Sequence, residues 1–300
     1  MSHRRMRAPS LGVVLLAGHI INFGVNKVPP ATLALIASQT AVFLDMFPKY
    51  FPTAQSVCIS SYLVLYDQKW MRLILSAFYH GSDMHLYYNM LSLLYKGSWL
   101  ESRLGTLYFI YLISVFTAMT SIVYVGLGFF LSQVMGSNSY LLDCAVGFSG
   151  VLFALKVLAA HYTPSGPQYV FGIVPVPSKH IYWAELLLIQ VLVPNASFVG
   201  HLAGILVGTA YVLGPLRIIM HAFFQPRAKI RQSYSTQRTP RPSTSFSGSG
   251  RARPSAPDPT DIYDESTPSS YTGDAHSRNY STATSPDLQD LRTRRTQYYQ

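Results

Sequence analysis

The chain has little cysteine and little charge. Two cysteines, Cys58 and Cys144, in 300 residues exclude a disulfide scaffold and a multi-cysteine metal site. Charged residues make up 12% of the sequence, about half of what soluble domains carry. They are also unevenly spread. Residues 226–300 hold 11 Lys/Arg and 7 Asp/Glu, leaving 12 and 6 of the totals of 23 and 13 for the first 225. So few charges cannot cover a water-facing surface, which excludes a soluble monomer. No small-residue cleavage site follows Arg4, Arg5 and Arg7 clearly, so an uncleaved first span is expected rather than a removable leader. No internal repeat is visible. What is abundant is apolar: 49% hydrophobic residues and a mean hydropathy of +0.21 with the polar end included. A bilayer is the natural solvent for residues 1–225. The net charge of +10 does not require nucleic acid, because membrane proteins are often basic from their flanks alone.

The expectation is an all-α polytopic membrane protein with six spans and a disordered C-terminal tail. The spans are read at Thr32–Met46, His85–Leu100, Leu107–Leu131, Ala145–Ala160, Ile181–Val193 and Phe198–Met220. Pro29-Pro30 suits the start of the first. Leu11–Val25 is a seventh stretch, weakened by His19, Asn22 and Gly24, and is read as an interfacial or partly inserted helix. The organisation is then 1–27 for that segment, 28–222 for the membrane domain and 223–300 for the tail. Loops 132–142 and 194–197 lack Lys and Arg, whereas Arg4, Lys96, Arg103 and Arg227 fall on the other side. This bias places both termini in the cytosol. The tail is rich in Ser, Thr, Pro and Arg and buries too little apolar surface to fold. It is either a solvated tail or a docking site for cytosolic partners. The sequon Asn195-Ala196-Ser197 falls in a luminal loop, and Asn279-Tyr280-Ser281 in the cytosolic tail.

Polar groups at membrane depth are costly, so three clusters stand out. Gly147-Phe148-Ser149-Gly150 places a hydroxyl between two glycines at the head of the fourth span. Free amides at a helix N-terminus favour developing negative charge there. The same residues also serve as ordinary packing in membrane helices. Gly200, Gly204 and Gly208 repeat every four residues in the sixth span, with His201 beside them. That stripe admits a close neighbour, and His201 then reaches Ser149 as a base or is satisfied by a carbonyl. His85 and Asn89 stand at i and i+4 at the head of the second span, as oxyanion donors or as interhelical glue. His80 and His85 are five apart with no accompanying carboxylate or thiolate cluster, so no metal is expected. The second, fourth and sixth spans run in the same direction, so His85, Ser149 and His201 fall at one depth on one side. No Asp stands ready to orient His201, which leaves a Ser-His dyad.

Taken together these residues resemble the rhomboid family of intramembrane serine proteases, over roughly residues 28–222. The resemblance implies that Ser149 is the nucleophile and His201 the general base. It implies an oxyanion hole from His85, Asn89 and the Ser149 amide. Gly147, Gly150, Gly200 and Gly204 belong to the matching motifs, and Phe153 occupies a position where an aromatic ring packs on the catalytic histidine. Glu101-Ser102-Arg103-Leu104-Gly105 is similar to the family's Glu-x-Arg-x-Gly turn, and His80 falls at a familiar position. The adjacent Trp-Arg of the first loop is interrupted here, where Met71 separates Trp70 from Arg72. Within the family, the type resident in the endoplasmic reticulum with a cytosolic tail is the nearest in pattern.

What this implies is a peptide-bond hydrolase without metal or other cofactor, acting on membrane-spanning proteins in quality control and degradation. An AAA ATPase is an expected tail partner, although Arg292–Arg295 matches such a motif only faintly and no ubiquitin-binding helix is visible. The rival reading is a non-catalytic relative that binds membrane clients. Retention of both Ser149 and His201 speaks for catalysis. A transporter, hinted at by Lys156 and Glu185, lacks broken-helix repeats.

Overall fold

A computed structural model describes residues 10–47, 49–163, 166–170 and 174–224. The tail, its sequon at Asn279 and the run Arg292–Arg295 lie outside the described residues. The helices are α1 (Leu11–Phe23), α2 (Pro30–Phe43), α3 (Ala54–Val57), α4 (Ser61–Leu65), α5 (Arg72–Leu75), α6 (Asp83–Leu104) and α7 (Thr106–Met135). They continue with α8 (Ser139–Leu142), α9 (Ser149–Tyr162), α10 (Ile181–Leu192), α11 (Phe198–Leu213) and α12 (Pro215–Phe223). Side chains set several of the starts. Ser60, Ser82 and Ser197 cap α4, α6 and α11 by accepting from the amides of Leu63, His85 and Gly200 at 3.2 Å each. Pro30 opens α2, where its missing N–H costs nothing.

The core lies between α6, α7 and α9. Leu86, Met90, Leu93 and Leu94 of α6 meet Phe109, Leu112 and Phe116 of α7 and Leu152, Leu155 and Leu158 of α9. Apolar residues are equally plain on the outside: Ile122, Phe130, Val134, Leu187, Val191 and Leu213 are all exposed. A surface of that kind suits lipid rather than water. By length and composition α7 alone is long and apolar enough to cross a bilayer, and α11 with α12 passes if a pair bent by 72° is one span. α1, α2 and α9 are shorter apolar helices.

Three expectations change. The chain is mostly helical but not purely so: β1 (Pro167–Val170) and β2 (Val174–Pro177) form an antiparallel hairpin, with Pro167 opposite Pro177. Pro164, Pro167, Pro175 and Pro177 bar a helix there. The fourth span begins at Ser149, not Ala145, because Ala145 exchanges both backbone hydrogen bonds with Ile59 at 2.8 and 2.9 Å. The sixth breaks at Gly214, whose φ of +116° turns the chain before Pro215 starts α12. In addition, α1 packs along α6, a pairing that its own sequence does not show. Its residues meet α6 in matching order: Ser10 and Gly12 with Asp83, His19 with Tyr87 at 3.0 Å, and Phe23 with Tyr95 at 5.6 Å between ring centroids. α1 therefore runs alongside α6 and parallel to it. The Asp83 carboxylate accepts from the Ser10 hydroxyl and, at 2.6 Å, from the Gly12 amide. That carboxylate sits where the α1 dipole favours an anion. Residue 10 thus lies at the His85 end of α6.

At the other end, Glu101 organises the junction of α2, α6 and α7. It is 2% exposed. Its carboxylate accepts from the amides of Ala31 (2.9 Å) and Thr32 (2.7 Å) and from the hydroxyls of Thr32 (2.8 Å) and Thr106 (2.9 Å). One side chain thereby satisfies the free amides opening α2 and ties α6 to it. Arg103 does not join it but covers Trp99, 3.7 Å from the ring centroid. Glu101→Ala should cost about 3 kcal/mol through the donors left buried. This is to be read as the shift in thermal unfolding of the detergent-solubilised chain, with Glu101→Gln expected to lose less.

Candidate active site

Ser149 is the first helical residue of α9, so its amide is one of the donors that no intrahelical carbonyl can satisfy. His201 sits in the first turn of α11. Its Nε2 lies 3.0 Å from the Ser149 Oγ. The imidazole is buried, and its Nδ1 has no partner among the described residues. Among the described residues no carboxylate is hydrogen-bonded to the imidazole. Phe153, one turn after Ser149, stacks on His201 with ring centroids 4.6 Å apart and planes inclined by 30°, as expected of an aromatic ring at this position.

The glycine stripe explains how two backbones come this close. A Cβ on Gly204 would stand 2.0 Å from the Gly150 carbonyl oxygen, and one on Gly208 2.7 Å from that of Ala154. A Cβ on Gly150 would in turn stand 3.0 Å from the Gly200 carbonyl oxygen. α9 and α11 therefore touch main chain to main chain, which side chains larger than hydrogen forbid.

Gly147 serves a different purpose. Its φ of +128° is a conformation that favours glycine. A Cβ there would stand 2.7 Å from the His85 imidazole and 3.8 Å from the Asn89 amide nitrogen. The turn before Ser149 is thus pressed against both proposed oxyanion donors. Asn89 is buried, and its Nδ2 has no partner among the described residues, so a donor is left open beside the Gly147 turn. His80 packs edge to face on His85 at 5.1 Å. Burial, with the neighbouring His85 as the lesser cause, holds its pKa well below the ordinary histidine range.

Two features of the site escape motif reading. Cys58 and Cys144 are joined in a disulfide. The bond ties the first loop to the segment entering Gly147, next to the Ile59–Ala145 bridge. Arg72 donates to the Cys58 carbonyl oxygen at 2.5 Å, so the displaced arginine still anchors the first loop, while Trp70 is exposed. The second feature is an ion pair between Lys156 of α9 and Glu185 of α10. The signal in the sequence was a lone cation and a lone anion in facing apolar spans. Among the described residues no group of His, Cys, Asp or Glu is placed to hold a metal ion.

The α9–α11 contact can be tested directly. Gly204→Ala should slow reaction of Ser149 with a fluorophosphonate probe by about a hundredfold, since displacing reacting groups by an ångström costs that much. Gly18→Ala, where a Cβ meets nothing within 4 Å, should label at the wild-type rate.

Comparison with known proteins identifies the family. The Rhomboid domain model matches residues 67–217. The chain is 45% identical over 219 residues to the rat protein named Rhomboid-related protein 4, covering 73% of this chain and 68% of the relative. It is 41% identical over 187 residues to Rhomboid-like protein 14, mitochondrial, of Arabidopsis thaliana, covering 61% and 55%. Rhomboid-type serine protease 2 of Eremothecium gossypii is 28% identical over 196 residues, covering 65% and 70%. With half of its length matched by the domain model and a relative 45% identical over most of the chain, the chain belongs to the rhomboid family.

Proposed function

We propose that this chain is an intramembrane serine endopeptidase that cleaves membrane-spanning proteins with the dyad Ser149–His201. The observation that carries the reading is the 3.0 Å approach of His201 Nε2 to Ser149 Oγ at the free N-terminus of α9. The Ser149 Oγ attacks a peptide carbonyl carbon while His201 Nε2 takes the hydroxyl proton. The carbonyl oxygen gains the negative charge and accepts from the Ser149 amide, Asn89 Nδ2 and His85. Collapse of the tetrahedral intermediate expels the amine, which receives the proton from His201. Water, deprotonated by His201, then releases the acyl group and restores Ser149. No step calls for a metal or other cofactor.

The compartment proposed is the endoplasmic reticulum, with the dyad toward the lumen. In support, the Cys58–Cys144 bond lies at the dyad's end of the bundle, and such bonds persist in oxidising compartments. The role proposed is quality control and degradation of membrane proteins, with the degradation machinery, an AAA ATPase included, engaged through the cytosolic tail at 223–300.

The test is a co-expression assay with an unstable single-span reporter. Wild type should release a fragment that Ser149→Ala and His201→Ala do not. Asn89→Ala should reduce cleavage about a hundredfold, the usual effect of losing one oxyanion donor. A fragment from Ser149→Ala would refute the dyad. Equal capture of intact reporter by all variants, without a fragment, would favour the client-binding reading.

A further inference from the structure

The dyad lacks a carboxylate, yet the histidine must carry a positive charge each time it takes the Ser149 proton. The sequences of α9, α10 and α11 contain one acidic residue, Glu185, and one Lys or Arg, Lys156. They pair with each other, and their side chains are only 13% and 11% exposed. Each alone would be an isolated charge in an apolar layer, which is far costlier than the pair.

The pair is linked to the dyad through one aromatic ring. Ser149, Phe153 and Lys156 stand at i, i+4 and i+7 and share one face of α9. The Lys156 ammonium lies over the Phe153 ring, 4.5 Å from its centroid. The same ring stacks on His201. On the other side of the ion pair, α10 buries only Ile181 and Leu186, and Leu187, Val191 and Leu192 are exposed. Tyr182, Ala184, Leu188 and Ile189 are partly buried beside Ile181 and Leu186, so a narrow apolar seam and the ion pair together hold α10. Glu185 is thus the one carboxylate that these three helices bring near a base that becomes cationic.

We propose that Lys156 and Glu185 are positioning residues for the dyad: their ion pair pins α10 to α9, holds Phe153 against His201 and offsets the cation that the imidazolium would otherwise meet. This rests on Ser149 and His201 being the reacting pair.

The test is a double-mutant cycle on the purified full chain in detergent, read as the rate of fluorophosphonate labelling of Ser149. Modification of His201 by diethyl pyrocarbonate, followed by mass spectrometry, gives a second reading. K156Q and E185Q each leave one buried charge alone and should slow labelling about tenfold. K156Q/E185Q removes both charges and should label faster than either single variant. K156R keeps a cation over Phe153 and a partner for Glu185, and should stay within about twofold of wild type. The His201 modification rate should follow the same order of departure from wild type. Wild-type labelling in K156Q and E185Q, or a double variant as slow as the two losses multiplied, would overturn the proposal. So would a shift in thermal unfolding with both chemical rates unchanged. If wild type itself does not label, the protease reading fails. The cycle is then decided by His201 modification, where the same pattern supports the pairing and a flat response overturns it.

Discussion

The α9 and α11 backbones meet without intervening side chains, and the chemistry proposed for this chain depends on that contact. The hydrogen bond of 3.0 Å between Ser149 and His201 sits where glycines let the two backbones approach. At Gly204 an added Cβ would lie 2.0 Å from a backbone oxygen, so even one methyl group has no place. In lipid there is no hydrophobic gain from pressing two helices together, and small residues supply dispersion contact instead. The same stripe that holds the helices therefore sets the distance from base to nucleophile. Stability and reactivity cannot be separated at these positions.

A second constraint acts along the helix axis. Ser149 sits at the first residue of a 14-residue helix, and the chain before it must be held still without helical bonds. It is held three times over. The Gly147 amide donates to the Ser76 carbonyl oxygen at 2.9 Å, Ala145 pairs with Ile59, and Cys144 is bonded to Cys58. The first loop and the stretch before α6 thus form the floor on which the nucleophile's turn rests. Gly147 faces His85 and Asn89 with no room for a side chain. Nucleophile and proposed oxyanion donors are aligned by the same turn.

The site was largely legible in the sequence because its chemistry is local. Gly-x-Ser-Gly, the four-residue glycine repeat and the i, i+4 pair of His85 and Asn89 each imply a surface, and helical periodicity orients them. What escaped was set by contacts distant in sequence. Cys58 and Cys144 are 86 residues apart, and two cysteines in loops carry no periodicity to bring them together. The residues from Ala145 to Phe148 look like the start of an apolar span, yet Ala145 pairs with Ile59 and the Gly147 amide donates to Ser76. The direction of α1 was hidden because Asp83, its anchor, reads first as a residue opening α6. The break at Gly214-Pro215 was different. That dipeptide is a strong local stop signal, and the continuous hydropathy across it concealed the bend.

Helix length completes the account of why a polar site is tolerated here. Fourteen residues of α9 extend about 21 Å, well short of a hydrocarbon core of roughly 30 Å. A helix that short cannot place both ends in water unless the bilayer thins or water enters. Ser149 occupies one of those ends, beside the capped starts of α6 and α11. The unsatisfied amides of the α9 N-terminus are thus brought below the surface, where they need partners. A reacting carbonyl oxygen is such a partner, and so is the water that hydrolysis consumes. The short helix, the unpartnered Asn89 amide nitrogen and the partly exposed Ser149 are therefore one arrangement: a depth at which the membrane can offer a peptide bond and water can still reach it.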